Sequence, residues 1–219
     1  MSSTPLAHSA VLFDLDGTLV DSVEVIVESY RHALAAFDVT GIDEARIRSW
    51  IGMSLDETFQ QLSPRHAAAM ARTYREYNLA HHDGRVSAYP GAAELVRSLQ
   101  EQGRRVGVVT SKGRELALRG LELTGIPVPE VLVGKEDTPR HKPDPQPLHR
   151  ALELMGVEAA DAVYIGDAAT DLRAARAGGL AAVGVTWGAG RREDLAAERP
   201  AAVVEDVSEL AALLVPLAA

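Results

Sequence analysis

Val11-Leu12-Phe13-Asp14-Leu15-Asp16-Gly17-Thr18 joins a short apolar run to two carboxylates and a glycine. The run reads as a strand. Residues two apart on an extended chain project to the same side, so Asp14 and Asp16 share one. Gly17 permits an abrupt turn away from the strand. So placed, Asp14 can attack an electrophile while Asp16 exchanges protons with the leaving group. A turn rich in Asp and Gly is the plain alternative, and the rest of the chain has to decide between them.

Working outward, five more apolar runs follow: 106–109, 131–133, 162–165, 181–185 and 201–204. Each is apolar at successive positions, the pattern of strands covered by helices on both faces. Helical stretches lie between them. One opens at Pro90-Gly91 and stops at Gly103. The others end at Gly125, Gly156 and Gly178-Gly179, the proline-first, glycine-last punctuation of helices. Strand and helix in alternation predict an α/β fold with a doubly wound parallel sheet.

Residues 22–88 break the alternation, because they read as helical throughout. Asp21 with Glu24 and Ser54 with Glu57 have capping-box spacing, and Ser63-Pro64 offers a cap followed by Pro at the first helical position. Val23, Ile26, Tyr30, Leu34 and Phe37 fall on one helical face. The expected organisation is an α/β core from residues 1–21 and 89–219, with a small all-helical domain of residues 22–88 inserted after the first strand. Such an insertion sits at the carboxyl edge of the sheet, where open α/β folds bind ligands. It reads as a lid.

Composition narrows the partners. The 219 residues carry 22 basic and 31 acidic side chains, a net charge of −9, which argues against a general nucleic-acid binder. There is no cysteine, hence no disulfide framework, thiolate metal site or cysteine nucleophile. No apolar run approaches the ~18 residues of a membrane span. Met1 to Ala10 lacks the basic-then-apolar pattern of a secretory signal. A cytoplasmic protein without a membrane or nucleic-acid partner is expected. Monomer and homodimer stay equally open, since an apolar helical insertion serves as a lid or as a dimer surface.

Three later runs also end in polar residues. Val109 leads into Thr110-Ser111-Lys112, Lys142 precedes Pro143-Asp144-Pro145, and Ile165 leads into Gly166-Asp167-Ala168-Ala169-Thr170-Asp171. Singly these have ordinary explanations: a helix cap, a surface charge, acids favoured at a helix N-terminus. Together they lie at strand carboxyl ends, which parallel topology gathers into one crevice. Asp14, Asp16, Asp167 and Asp171 would then crowd, at about 4 kcal/mol per like-charge pair at close range. Such a cluster needs a divalent cation, and all-oxygen ligands favour Mg²⁺. With Lys142, the Thr110 hydroxyl and turn amides, the set is a receptor for a phosphoryl group. The inferred reaction is phosphoryl transfer to Asp14, then hydrolysis of the acyl phosphate by water.

Asp14-Leu15-Asp16-Gly17-Thr18, Thr110, Lys142 and Gly166-Asp167 through Asp171 resemble, in order, the four motifs of the haloacid dehalogenase superfamily. The resemblance implies a Rossmann-like core with a small helical cap, as in the subfamily containing phosphoglycolate phosphatase and β-phosphoglucomutase. It implies Asp14 as nucleophile and Asp16 as general acid/base whose backbone carbonyl also binds Mg²⁺. Thr110, Ser111 and Lys142 would hold the substrate phosphoryl group, with Asp167 a direct metal ligand and Asp171 one in the second shell or through water. Residues 51–59, 74–83, 121–126, 142–147 and 184–187 are similar to bacterial pyrophosphatases of this superfamily. This implies a small phosphorylated substrate, pyrophosphate or phosphoglycolate among them, with Gly52, Met53 and Ser54 as a cap loop setting specificity. Two departures stand out. Ala168-Ala169-Thr170 replaces a bulkier run inside the fourth motif, and Met53-Ser54 stands where those pyrophosphatases tend to carry prolines.

Other readings remain. A mutase would offer a histidine where Ile26 stands and a cap arginine where Leu55 stands, whereas a dehalogenase would lack Asp16. A phosphosugar phosphatase, or a silent partner-binding protein that kept the fold, is a further alternative. Adjacent His81 and His82 point about 100° apart on a helix and cannot easily share an ion, so a cap surface or a substrate-facing rim is expected for them. Trp50 and Trp187 read as packing residues, with Trp50 close enough to the Gly52 loop to shape a pocket, and Arg191-Arg192 as a solvated pair.

Overall fold

A computed structural model describes residue 6 and residues 8–214. Six strands form one parallel sheet: β1 (Ala10–Phe13), β4 (Arg105–Val109), β5 (Val131–Val133), β6 (Ala162–Gly166), β7 (Ala181–Val185) and β8 (Ala202–Val204). Their order is β5-β4-β1-β6-β7-β8, so β1 lies between β4 and β6, with Phe13 opposite Val108 and Ile165. The chain therefore winds away from β1 in both directions, and the carboxyl end of β1 is the switch point where a crevice opens.

Alternation along each strand divides the core in two. Val11, Phe13, Val106, Val108, Val163 and Ile165 pack with Leu95 and Leu99 of α5 (Ala92–Glu101), Leu121 of α6 (Arg114–Thr124) and Leu213 of α10 (Val207–Leu214). Leu12, Val133 and Tyr164 turn the other way. They meet Leu148 and Met155 of α7 (Gln146–Met155), Leu172 of α8 (Ala169–Ala177) and Leu195 of α9 (Arg192–Ala197). The doubly wound α/β expectation holds, and the six apolar runs match the six strands to within about a residue at each end.

The segment between β1 and β4 carries α1 (Val23–Ala36), α2 (Glu44–Arg48), α3 (Leu55–Leu62) and α4 (Ala67–His81). These helices bury their own cluster, in which Tyr30, Trp50, Phe59 and Met70 are central. Two very short strands, β2 (Val20–Asp21) and β3 (Ser87–Ala88), pair antiparallel where the chain leaves and rejoins the sheet. Helix does not fill the segment, since residues 83–88 turn back as loop and strand.

Two of the three expected caps differ. Ser54 does cap α3, accepting from the Glu57 amide. Asp21 does not cap α1, because it is held in the β2–β3 pair and the helix begins after Ser22. Ser63-Pro64 does not open α4. Ser63 ends α3, its hydroxyl meets His66 Nδ1 at 3.3 Å, and α4 starts only at Ala67. Among the described residues, no helix is long and apolar enough to cross a membrane.

Candidate active site

Because β1 is central, its first residue beyond the sheet lands at the middle of the carboxyl edge. That residue is Asp14, 2% exposed, its amide donating to the Ile165 carbonyl at 2.8 Å. Gly17 then turns the chain with φ +81°, and a Cβ there would lie 2.2 Å from Asp167 Oδ2. Only glycine combines that backbone with that closeness. Asp167 directly follows β6, accepting from Thr18 Oγ1 at 3.2 Å and from the Ala189 amide at 2.7 Å. Asp171 lies in the first turn of α8, where its Oδ2 accepts from the Ala168 amide at 3.0 Å.

Asp14, Asp167 and Asp171 each offer an oxygen within 4.8 Å of the others, and all three are buried. Lys142 answers this charge. Its Nζ donates to Asp171 Oδ1 at 2.6 Å and to the Tyr164 hydroxyl at 3.0 Å, and it lies 3.0 Å from Asp14 Oδ1. That last approach is an ion pair without hydrogen-bond alignment, so Asp14 Oδ1 is a buried oxygen without a hydrogen-bond partner. The Tyr164 hydroxyl in turn donates to the Val109 carbonyl at 2.8 Å, fixing the lysine from behind. The Lys142–Pro143 peptide bond is cis.

Three carboxylates against one ammonium leave excess negative charge in a buried space. Burial, opposed by Lys142 and reinforced by Asp171, pushes Asp14 up to about 7. Asp167 is driven well above the carboxylate range by burial and then by Asp171 and Asp14. Lys142 would be lowered by burial, but Asp14 and Asp171 outweigh that and hold it well above its ordinary value. An orphaned carboxylate oxygen within a ring of hard oxygen donors fits Mg²⁺, which would be held by Asp14 and Asp167 with Asp171 behind them.

Asp16 stands outside that ring. Its Oδ1 accepts from Lys112 Nζ at 2.6 Å and from Ser22 Oγ at 2.6 Å. Burial alone would raise its pKa, yet Lys112 and Ser22 more than offset this and hold the carboxyl below its usual range. Thr110 is buried beside Asp14, its Oγ1 accepting from the Lys112 amide at 3.2 Å. Ser111 Oγ donates to the Gly52 carbonyl at 2.8 Å, tying the edge of the sheet to the loop before α3.

A cavity of about 390 Å³ opens over this edge, lined by Asp14, Asp16, Thr110, Ser111 and Lys112 on one side and by Trp50, Gly52 and Met53 on the other. Of the expected cap loop, Gly52 and Met53 line the cavity. Ser54 does not: it is buried with its hydroxyl engaged as the α3 cap. Asp167, Asp171 and Lys142 lie beneath the floor. The expected surface or rim position is wrong for His82, which is fully buried with Nδ1 3.3 Å from Asp83 and Nε2 unpartnered. His81 stacks on Tyr77 with ring centres 4.0 Å apart. Trp187 donates to the Thr18 carbonyl at 3.0 Å, buttressing the turn after β1.

Sequence reasoning missed Lys112, Ser22, Thr18, Tyr164 and Ala189. Lys112 and Thr18 had a local signal, the first standing beside Thr110-Ser111, where only the turn amides were weighed, and the second closing the Asp14 to Thr18 motif.

Comparison with known proteins gives a consistent picture. The family model for haloacid dehalogenase-like hydrolases matches residues 11–185. Pyrophosphatase PpaX of Listeria monocytogenes is 35% identical over 208 residues, covering 94% of this chain and 96% of the relative. PpaX of Bacillus pumilus is 35% identical with the same coverage. Among solved structures, a hydrolase from Pseudomonas syringae superposes with a TM-score of 0.85 at 27% identity, covering 94% of this chain and 99% of that one. A protein described as a predicted phosphoglycolate phosphatase from Haemophilus somnus gives 0.81 at 25% identity, covering 94% and 97%.

Proposed function

This chain belongs to the haloacid dehalogenase-like hydrolases and is a hydrolase of the phosphatase class, and from that premise we propose that it cleaves a small phosphate ester or anhydride through a phospho-Asp14 intermediate. One observation carries the reading: a buried carboxylate at the switch point of the sheet, facing a cavity, one oxygen without an aligned hydrogen bond, and backed by Lys142, Asp167 and Asp171. Residues 22–88 act as a cap over that carboxylate.

In the first step an Asp14 oxygen attacks phosphorus, the bond to the leaving oxygen breaks, and that oxygen takes a proton. In the second, water attacks the same phosphorus, its proton passes to a base, and the Asp14–phosphorus bond breaks to release phosphate. Asp16 is the group within reach of both transfers. Held by Lys112 it is ionised, the form that takes a proton from water. Donation in the first step needs the protonated form, which requires the Lys112 contact to loosen. Thr110 and Lys142 bind phosphoryl oxygens, and Lys142 screens Asp14 from its acidic neighbours. Bound Mg²⁺ supplies the positive charge that lets an anionic carboxylate approach an anionic phosphoryl group.

Mg²⁺-dependent turnover of p-nitrophenyl phosphate is expected, falling to background in Asp14→Asn. Unchanged turnover in that variant, or full activity after exhaustive removal of divalent ions, would overturn the reading.

A further inference from the structure

The cavity over Asp14 has two unlike sides. Its floor is the polar sheet edge. Its opposite wall is apolar, formed chiefly by Tyr30, Trp50, Met53, Leu55 and Leu79 of the helical segment, and Leu116 of α6 also lines the space. That wall is not loose. Tyr30 packs against Trp50, Phe59 and Tyr74 with ring centres 5.3, 5.5 and 4.8 Å apart, so its aromatic half belongs to the core of the helical segment. Leu79 is 60% exposed at the rim, an apolar side chain left facing the opening.

The cations around the cavity are each engaged in an ion pair. Lys112 holds Asp16, Arg119 holds Asp83, and Arg75 and Lys135 share Asp56. Asp56 leaves one positive charge over, but Glu115 and Glu136 also line the space. The full lining has four basic and four acidic side chains. Asp14 is answered by Lys142 from below, and a second phosphoryl or carboxylate group would have to draw a cation such as Arg75, Arg119 or Lys135 out of an existing ion pair to find a matching charge. Along the apolar wall a polyol would find few partners, since the leucines and Met53 offer no hydrogen bonds and the Asn78 amide already donates to Ser29 Oγ at 3.1 Å. A cavity of about 390 Å³ walled mainly by apolar side chains has the character of an organic-ligand pocket.

We propose that the substrate is a phosphate monoester whose leaving alcohol has an uncharged apolar or aromatic body, seated against Leu55, Leu79, Leu116 and Met53. The proposal rests on the phosphatase reading of Asp14 and deepens it. The overall change is monoester plus water giving alcohol plus inorganic phosphate, the ester P–O bond being replaced by one from water. The wall sets specificity by removing the alcohol's apolar surface from water.

The test compares kcat/KM of the full-length protein with Mg²⁺ on 2-phenylethyl phosphate, ethyl phosphate, phosphoglycolate and pyrophosphate. The first two have leaving oxygens of similar basicity, so their ratio reads the wall. 2-Phenylethyl phosphate is expected to exceed ethyl phosphate at least tenfold, chiefly through KM, and to exceed both pyrophosphate and phosphoglycolate. Leu79→Gln and Leu116→Gln, both near the rim, are expected to reduce the phenylethyl-to-ethyl ratio at least threefold. Any result short of that substrate order, or a ratio unmoved by both variants, overturns the proposal while leaving the phosphatase reading standing. Failure to hydrolyse all four substrates and p-nitrophenyl phosphate would instead defeat the phosphatase reading itself.

Discussion

Lys112 and Asp16, 96 residues apart in sequence, meet with Nζ 2.6 Å from Oδ1 in a pair almost wholly removed from solvent. The pair crosses from the loop after β4 to the turn after β1, and Ser22 Oγ donates to the same oxygen. It fixes the carboxylate at the cavity wall without spending Asp14. Replacing Asp16 with Asn keeps the shape and removes the proton exchange proposed for it. Turnover of p-nitrophenyl phosphate is expected to fall by about 10²–10⁴, the usual worth of a general acid/base. The melting temperature should move only slightly, because Lys112 borders the cavity and can rehydrate there. Near-normal turnover in Asp16→Asn would remove the assigned role.

The turn after β1 makes a separate prediction, on stability. Gly17 combines positive φ with a would-be Cβ 2.2 Å from Asp167 Oδ2, Gly41 has positive φ in open space, and Gly84 has neither constraint. Alanine at each position separates the two costs. Urea denaturation should give a change within about 0.5 kcal/mol for Gly84→Ala and a loss of about 1 kcal/mol for Gly41→Ala. For Gly17→Ala the loss should exceed about 3 kcal/mol, because an anchored carboxylate must also move. Equal losses at Gly17 and Gly41 would mean that Asp167 is not packed against this turn.

The contrast between these positions also shows what a sequence can disclose. The six strands were legible because runs such as Val131 to Val133 are buried on both faces, and their helices because Gly125 and Gly156 mark the ends. Asp14, Thr110, Lys142, Asp167 and Asp171 were legible as a set because parallel winding gathers strand ends. Pairings that depend on distant backbone were not. Two-residue strands such as Val20–Asp21 and Ser87–Ala88 carry no period, and their pairing displaced the expected Asp21 cap. Nothing local to Lys112 announces Asp16, nor does anything near Ala189 announce the carboxylate its amide holds.

His82 should shape the acid limb of stability. Its side chain is fully buried, and burial first, then the positive charge of Lys112, holds its pKa below 6.5. The folded protein thus keeps the ring neutral, while the unfolded chain protonates it near its ordinary value. The stabilisation is whole above about pH 6.5 and is lost as pH falls from there towards the lowered folded value. His8 is lowered as well, again mainly by burial, so it shares the effect. In His82→Asn the fall in unfolding free energy between pH 7 and pH 5 should therefore be shallower than in wild type, but not abolished. The difference between the two denaturation series isolates this residue from the oppositely shifted Asp14. Parallel curves would show that His82 titrates alike in both states.

The carboxylate ring makes the strongest demand on conditions. Asp14, Asp167 and Asp171 face one ammonium, so without metal Asp14 and Asp167 are pushed towards their protonated forms, and a bound divalent cation would let them ionise. A ligand that binds only the folded state, at a hundred times its Kd, adds about 2.7 kcal/mol. For a chain of this length that raises the melting temperature by about 5–10 °C. Asp167→Asn removes one carboxylate, so its rise with Mg²⁺ should shrink below about 2 °C. Without metal this variant should melt close to wild type, since burial and the neighbouring carboxylates already drive Asp167 towards its uncharged form. Lys142→Met should instead lower the metal-free melting temperature by leaving three carboxylates without their cation. A wild-type protein with the same melting temperature in EDTA and in millimolar Mg²⁺ would show that these oxygens hold no ion.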